Sequence, residues 1–253
     1  LLDDKIYQQI KKKLNEAFGN EFREVIIGGA PLNKEVEDFL RKIGFKFTVG
    51  YGMTECAPLI CYSPHDKFVP YSAGKILDIM EIMIDSKDPY NIVGEICVRG
   101  ENVMSGYYKN VEATKNIFKE DGWMRTGDMG TIDKEGNLFI KGRCKSMILG
   151  ASGQNIYPEE IEEKLNNLPF VMESLVIDKD GKLLGLVYPD YEAVDASSIS
   201  HSDLDIIMEE NRKQLNSMVA NYENISKIIL YPNEFDKTPK RSIKRYLYTN
   251  LNI

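Results

Sequence analysis

The sequence predicts an α/β segment followed by a compact α+β unit, and three observations carry that expectation. Residues 23–50, "REVIIGGAPLNKEVEDFLRKIGFKFTVG", read as strand, helix, strand, the pattern of a mostly parallel sheet. From Tyr71 to Gly142, short β-like runs are separated by Gly, Pro, Asp and Asn, which suggests antiparallel strands in a small barrel or distorted sheet. After Arg143, a helix, a strand, a turn, a second strand, a long helix and a third strand follow closely enough to form a unit of their own.

Each element has a local reason. Ile6, Ile10, Leu14, Ala17 and Phe18 recur at helical spacing from Lys5 to Phe18. "VII" is a buried strand that runs into Gly28–Gly29, with Pro31 shortly after. The helix that follows has Asn33 as N-cap and Gly44 as its stop. "FKFTVGYGMTE" is a second strand that opens into a loop at Gly50. The runs "EIMID", "GEICVRG" and "NLFIKG" supply the middle strands. In the last region "YPEEIEEKLNNL" is a helix with Pro158 at its start, where a missing N–H does no harm. "ESLVID" and "LLGLVYP" flank a turn at Lys179–Gly181. A helix over about Ser202–Ala220 and the strand "SKIILYP" complete the unit.

Composition excludes several classes. With 43% hydrophobic and 28% charged residues in 253, the chain is an ordinary globular one, and its net charge of -7 argues against nucleic acid as a partner. No run approaches the roughly 18 apolar residues of a membrane span. The opening "LLDDKIYQQIKKKL" is charged and amphipathic, with no apolar signal-peptide core, so a cytoplasmic location is expected. The chain begins at Leu1 rather than Met, which reads as a fragment. Cys56, Cys61, Cys97 and Cys144 form no C-x-x-C pair and read as free thiols in a reducing compartment. His65 and His201 stand far apart without a metal partner at fixed spacing. The signatures of P-loop ATPases, dinucleotide-binding dehydrogenases, zinc proteases and common serine hydrolases are all absent.

Five stretches offer chemistry, each with a plainer reading beside it. "GGAP" (Gly28, Gly29, Ala30, Pro31) lets a backbone approach a flat ligand or phosphate, or is simply a turn. "YGMTE" stands at a strand end, where open α/β sheets bind ligands. There Tyr51 could stack on a base beside Gly52, Thr54 offers a hydroxyl, and Glu55 suits Mg²⁺ beside phosphates, unless it is merely solvated. In "WMRTGDMG", Asp128 between two glycines reads as a carboxylate on a tight turn. It either accepts two ribose hydroxyls or caps its own turn. Arg143 in "KGRCKS" could hold a phosphate or ribose, or be a surface cation. The stretch "KTPKRSIKR", residues 237–245, holds Lys237, Lys240, Arg241, Lys244 and Arg245 without one acid, and alone it reads as a solvated tail or a polyanion patch.

The order of these stretches sharpens the reading. "GGAPL", "YGMTE", "GEICVRGENVMSGYYKN", "GWMRTGD", "IKGRCKSMILGASGQNIYPEEIE" and "KTPKRSIKR" together resemble the acyl-adenylate-forming (AMP-binding) superfamily, from about Gly28 to Tyr248. "GQNIYPEEIEE" and "KRYLY" look most like the long-chain fatty acid CoA ligase branch. The resemblance implies an enzyme that makes acyl-AMP from a fatty acid and ATP, then passes the acyl group to coenzyme A. It implies that Gly28–Pro31 lie along the adenine, Tyr51 stacks on it, Thr54 touches the α-phosphate and Glu55 helps hold Mg²⁺. Asp128 would bind the ribose with help from Arg143, Lys145 would be the hinge, and Gly153 would line the channel for the acceptor thiol.

The implied architecture is the C-terminal part of a large adenylate-forming domain over 1–143 and a small mobile α+β domain over 144–253. The family's Ser/Thr/Gly-rich phosphate loop is missing from these residues, so the expectation is a portion of a longer enzyme, inactive by itself. The family's adenylation lysine falls, by position, on Ser242. In an extended segment Lys240 or Lys244 would share a face with it. Lys244 is preferred because Arg245 follows it, and a third reading has no lysine in the role. An acyl group loaded onto a carrier-protein thiol is the nearer alternative, and a polyanion-binding module the remoter one. Peripheral contact of the full enzyme with a membrane stays open.

Overall fold

The computed structural model describes residues 2–150, 153–239 and 241–249, with the backbone alone at Leu2 and His201. The chain folds as two compact units, Leu1–Ile140 and Lys141–Ile253.

The first unit opens with α1 (Leu2–Ala17), whose Tyr7, Ile10 and Leu14 pack on a cluster built around Ile43, Phe45, Phe47 and Phe68. Strand β1 (Val25–Ile27), helix α2 (Lys34–Lys42) and strand β2 (Phe47–Val49) follow, and β1 pairs with β2 in parallel, Val25 opposite Phe47. The helix begins where Asn33 Oδ1 accepts from Glu35 N (2.9 Å) and Val36 N (3.2 Å). It ends at Gly44, whose N–H reaches Arg41 O (2.9 Å) while Phe45 N reaches Leu40 O (2.9 Å), the double bond of a Schellman stop.

The expected loop at Gly50 is instead a switch between sheets. Gly50 N donates to Ile27 O (2.9 Å), and the next residues form β3 (Tyr51–Gly52), a one-turn 3₁₀ helix (Thr54–Cys56), β4 (Leu59–Tyr62) and β5 (Lys75–Ile76). These three strands are antiparallel in the order β3-β4-β5. Then β6 (Met80–Asp85), β7 (Gly94–Gly100), α3 (Val111–Ile117), β8 (Met124–Ile132) and β9 (Leu138–Arg143) supply a four-stranded sheet in chain order. Within it, β6 and β8 both pair antiparallel with β7. A bridge between Lys75 and Asn137, with Ala73 N donating to Leu138 O (2.7 Å), joins the two sheets. Both then bend around one core that includes Tyr51, Ile60, Cys61, Ile96, Met124 and Leu138. Helix α3 lies within "GYYKNVEATKNIF", where no helix was expected. Asn110 caps it by accepting from Ala113 N (3.0 Å).

In the second unit, β10 (Ile148–Leu149) and β11 (Asn155–Ile156) form a small antiparallel hairpin. Next come α4 (Pro158–Leu165), β12 (Val171–Lys179), β13 (Lys182–Pro189), α5 (Tyr191–Ala196), α6 (His201–Met218) and β14 (Ile225–Leu230). The sheet runs β12-β13-β14, the first pair antiparallel and the second parallel. Asp180 and Gly181, both at positive φ, make the two-residue turn that strand twist favours. Alternation then sorts the two faces. Val176, Leu183 and Val187 join Ile161, Leu165 and Leu204 of the helices in one core. Leu175, Ile177 and Leu186 meet Phe235 and Tyr248 of the C-terminal segment in another. No described helix is long and apolar enough to cross a membrane.

Candidate active site

The parallel pair β1–β2 puts the Gly28–Pro31 turn and Gly50 at the same carboxyl end, the place where open α/β sheets receive ligands. Gly28, Gly29, Ala30 and Pro31 are all exposed there. Tyr51 leaves this end and turns inward. It is 8% exposed, its ring lies in the core shared by the two antiparallel sheets, and its hydroxyl donates to Asp128 Oδ2 at 2.7 Å. Burial first, and then the Asp128 charge, push the phenol pKa far up, so Tyr51 is a hydrogen-bond donor at any ordinary pH. The two residues are 77 positions apart in sequence.

Asp128 is not on a tight turn. It lies within the nine-residue strand β8 and is 6% exposed. The glycine signal has another cause. Between the pairs Glu95–Met129 and Cys97–Arg125 the register shifts, so β8 bulges, and Gly127 in that bulge has φ +73. Thr126 braces it: its hydroxyl donates to Ile96 O (2.8 Å) and accepts from Asp128 N (3.1 Å). The bulge thereby re-aims one carboxylate toward Tyr51.

Gly52 has no space for a side chain, because a Cβ there would stand 2.1 Å from Pro58 O. That close approach lets the 3₁₀ turn fold back on β3. Thr54, on this turn, is exposed, and Glu55 beside it is half-buried. Glu55 Oε1 accepts from the Tyr107 hydroxyl (2.8 Å), and Glu55 O accepts from Met104 N (2.8 Å). Asn102 Nδ2 donates to Cys56 O (2.6 Å) and Leu59 O (2.9 Å). Burial, and then the bond to Glu55, raise the Tyr107 pKa. Tyr107, Asn102 and Thr126 were not singled out from the sequence, although "ENVMSGYYKN" and "MRTGD" contain them. Only the fold shows that Tyr107 reaches the Glu55 carboxylate, Asn102 the backbone around the 3₁₀ turn, and Thr126 the backbone of Asp128. Among the described residues, no three His, Cys, Asp or Glu side chains gather as a metal cage. A single carboxylate fits Mg²⁺, which retains waters and takes phosphate oxygens, better than a cation needing a full protein shell.

The remaining candidates belong to the second unit. Arg143 ends β9 and is exposed. Lys145 is exposed in the turn after it, where Ser146 N and Met147 N both donate to Arg143 O at 3.1 Å. Gly153 closes the β10–β11 hairpin at φ +82, its N–H on Gly150 O (2.8 Å).

The stretch 237–245 is neither a solvated tail nor an extended segment. It folds back on itself, with Lys237 bridged to Ile243, Thr238 N on Ser242 O (2.8 Å) and Arg241 N on Thr238 O (2.8 Å). Lys237 forms ion pairs with Glu173 and with Glu234. Arg245 pairs with Glu162, lies 3.6 Å from Glu159, and donates to Val176 O (3.3 Å). Two of the expected polyanion contacts are thus spent inside the unit. The turn also breaks the extended-strand argument that made Lys240 equivalent to Lys244, and Lys240 itself lies outside the described residues. Lys244 is half-buried and stands two residues after Ser242, with Ile243 between them packed on the Phe235–Tyr248 cluster.

Residues 3–108 match the AMP-binding enzyme family. Long-chain-fatty-acid–CoA ligase FadD15 of Mycobacterium bovis is 31% identical over 93% of this chain and 42% of its own length. 4-Coumarate–CoA ligase 1 of Glycine max is 33% identical over 86% of this chain and 76% of that protein. Among solved structures, O-succinylbenzoate coenzyme A synthetase from Bacillus subtilis, in complex with AMP, has a TM-score of 0.74 at 27% identity, covering 96% of this chain and 50% of that one. The chain thus spans less than half the length of the mycobacterial relative. On this similarity, the chain belongs to the AMP-binding enzyme family.

Proposed function

We propose that the chain is part of an ATP-dependent acid–thiol ligase of the cytoplasm that activates a long-chain fatty acid as acyl-AMP and transfers it to coenzyme A. The observation that carries the nucleotide half of this reading is the buried Tyr51–Asp128 bond beside the exposed Gly28–Pro31 turn. In the first half-reaction a carboxylate oxygen attacks the α-phosphorus of ATP, the bond to the β-phosphate breaks, and pyrophosphate leaves. In the second, the thiol sulfur of coenzyme A attacks the acyl carbonyl carbon and AMP leaves as its bond to that carbon breaks.

The residues act by holding and by stabilising charge, where such transfers gain most. Gly28–Pro31 border the adenine and Tyr51 walls it. Asp128 takes the ribose hydroxyls, Arg143 assists there, and Thr54 donates to the α-phosphate. Glu55 would hold Mg²⁺, which offsets phosphate charge when bound. Lys145 is the hinge, Gly153 borders the path of the thiol arm, and Lys244 is the preferred cation for the leaving pyrophosphate. A fatty acid is favoured by the mycobacterial relative, while the coumarate and succinylbenzoate enzymes mark aromatic acids as the competing class.

AMP titrated into the 253-residue chain should bind, and Asp128→Ala should weaken it by at least roughly tenfold, about 1.4 kcal/mol. The same chain, lacking a phosphate loop, should release no pyrophosphate from ATP with a fatty acid. Failure of the intact chain to bind AMP or ATP at millimolar concentration would sink the nucleotide reading.

A further inference from the structure

We infer that Tyr51 is a positioning residue: its hydroxyl orients the Asp128 carboxylate toward a ribose cis-diol and thereby makes the site select ribonucleotides over their deoxy counterparts. The inference rests on the reading of Asp128 given under Proposed function, and it adds the cause of that residue's selectivity.

Three observations lead to it. The Tyr51 ring lies in a core with Cys56, Ile60, Cys61 and Ile84, where a phenylalanine would satisfy packing alone. A phenol buried in such a core requires a partner for its O–H, and this one donates to Asp128 Oδ2 at 2.7 Å, with the Thr126 hydroxyl beside it. Asp128 in turn stands on a bulge whose backbone is tied through Thr126, so its side-chain direction is restrained from both sides. A charged acceptor held in one orientation discriminates between ligands with and without a donor far better than one that can swing. Raised by burial, the phenol stays protonated throughout the working pH range, so the restraint persists.

The test compares AMP with 2′,3′-dideoxy-AMP by calorimetry. The wild-type chain should prefer AMP by roughly 30-fold or more, the worth of one or two hydrogen bonds to a charged group. Tyr51→Phe keeps the ring as a wall for the base. It should cut that preference by roughly 3- to 10-fold. Equal weakening of both nucleotides, or an unchanged ratio, would overturn the inference. Asp128→Asn separates the two levels. If it leaves the ratio intact, the ribose reading itself fails, whereas a collapsed ratio with an indifferent Tyr51→Phe removes only the tyrosine. Should Tyr51→Phe fold poorly, the wild type provides its own test. The slowly exchanging Tyr51 hydroxyl proton should survive AMP addition in the NMR spectrum, and its disappearance would count against the inference.

Discussion

Two tyrosine hydroxyls in the first unit, those of Tyr51 and Tyr107, each donate to a carboxylate, and the bonds are nearly the same length, 2.7 and 2.8 Å. Their surroundings differ. Tyr51 and Asp128 are both under a tenth exposed and tie two antiparallel sheets together. Tyr107 is 37% exposed and its partner Glu55 stands on a one-turn helix at the surface. Water can replace the second bond when it breaks, but it cannot easily replace the first. Equal geometry therefore does not mean equal energy, because the cost of a lost hydrogen bond is set by what the abandoned group meets next.

The largest expected effect follows from that difference. Asp128→Ala removes the acceptor of the buried Tyr51 hydroxyl, leaves it only the Thr126 side chain, and should cost about 1–3 kcal/mol in urea unfolding of the chain. Combining it with Tyr51→Phe should give back part of the loss, since removing both partners is milder than removing one. Additive losses would show that the two groups are uncoupled. Thiol labelling gives a second reading of the same core. Burial pushes the Cys61 thiol up to about 12, so it should react slowly with alkylating agents in the wild type, behind the half-buried Cys144. In Asp128→Ala its labelling should accelerate.

A third pair tests the comparison between these extremes. Glu24 accepts from the Tyr62 hydroxyl, from His65 N (2.7 Å) and from the His65 ring (3.2 Å). Burial pulls its pKa up, yet these bonds together bring it below the ordinary 4.5. A carboxylate with a lowered folded pKa contributes stability that is complete above 4.5 and is lost as pH falls through the folded value. The stability gap between wild type and Glu24→Gln should therefore be flat near neutrality and narrow only below about pH 4.5. A gap that persisted to pH 2 or below would rule out the linkage. The smallest effect belongs to Tyr107→Phe, at about 0.5 kcal/mol or less, because the tyrosine itself is exposed and water takes its place. A loss as large as that of Asp128→Ala would abolish the contrast between buried and exposed pairs.

The sequence was legible where one local signal admits one structure. Asn33 and Gly44 bracket α2 because capping geometry acts within four residues, and the continuous apolar runs of β12 and β13 report a sheet with two covered faces. It misled where one signal serves two structures. Glycines around Asp128 suit a tight turn or a bulged strand, and the pairing with β7 decides between them. The cations of residues 237–245 read as solvated because their partners, Glu162 and Glu173, lie far back in the chain. The Tyr51–Asp128 bond was invisible for the same reason: each residue was named for a ligand, and neither for the other.

The folded-back segment 237–245 is also tied down at both ends. Its first and last residues are moored, Lys237 to Glu173 and Arg245 to Glu162, while Asp236 N donates to the Tyr248 hydroxyl (2.6 Å) and Lys244 N to Asp236 O (2.8 Å). Between such moorings an added or deleted residue is taken up at the exposed turn beside Pro239 and Arg241, or by releasing an ion pair whose acidic partner, Glu162, is buried. Insertions or deletions next to Lys237 or Arg245 should therefore cost more than the same change at the exposed turn beside Pro239 and Arg241.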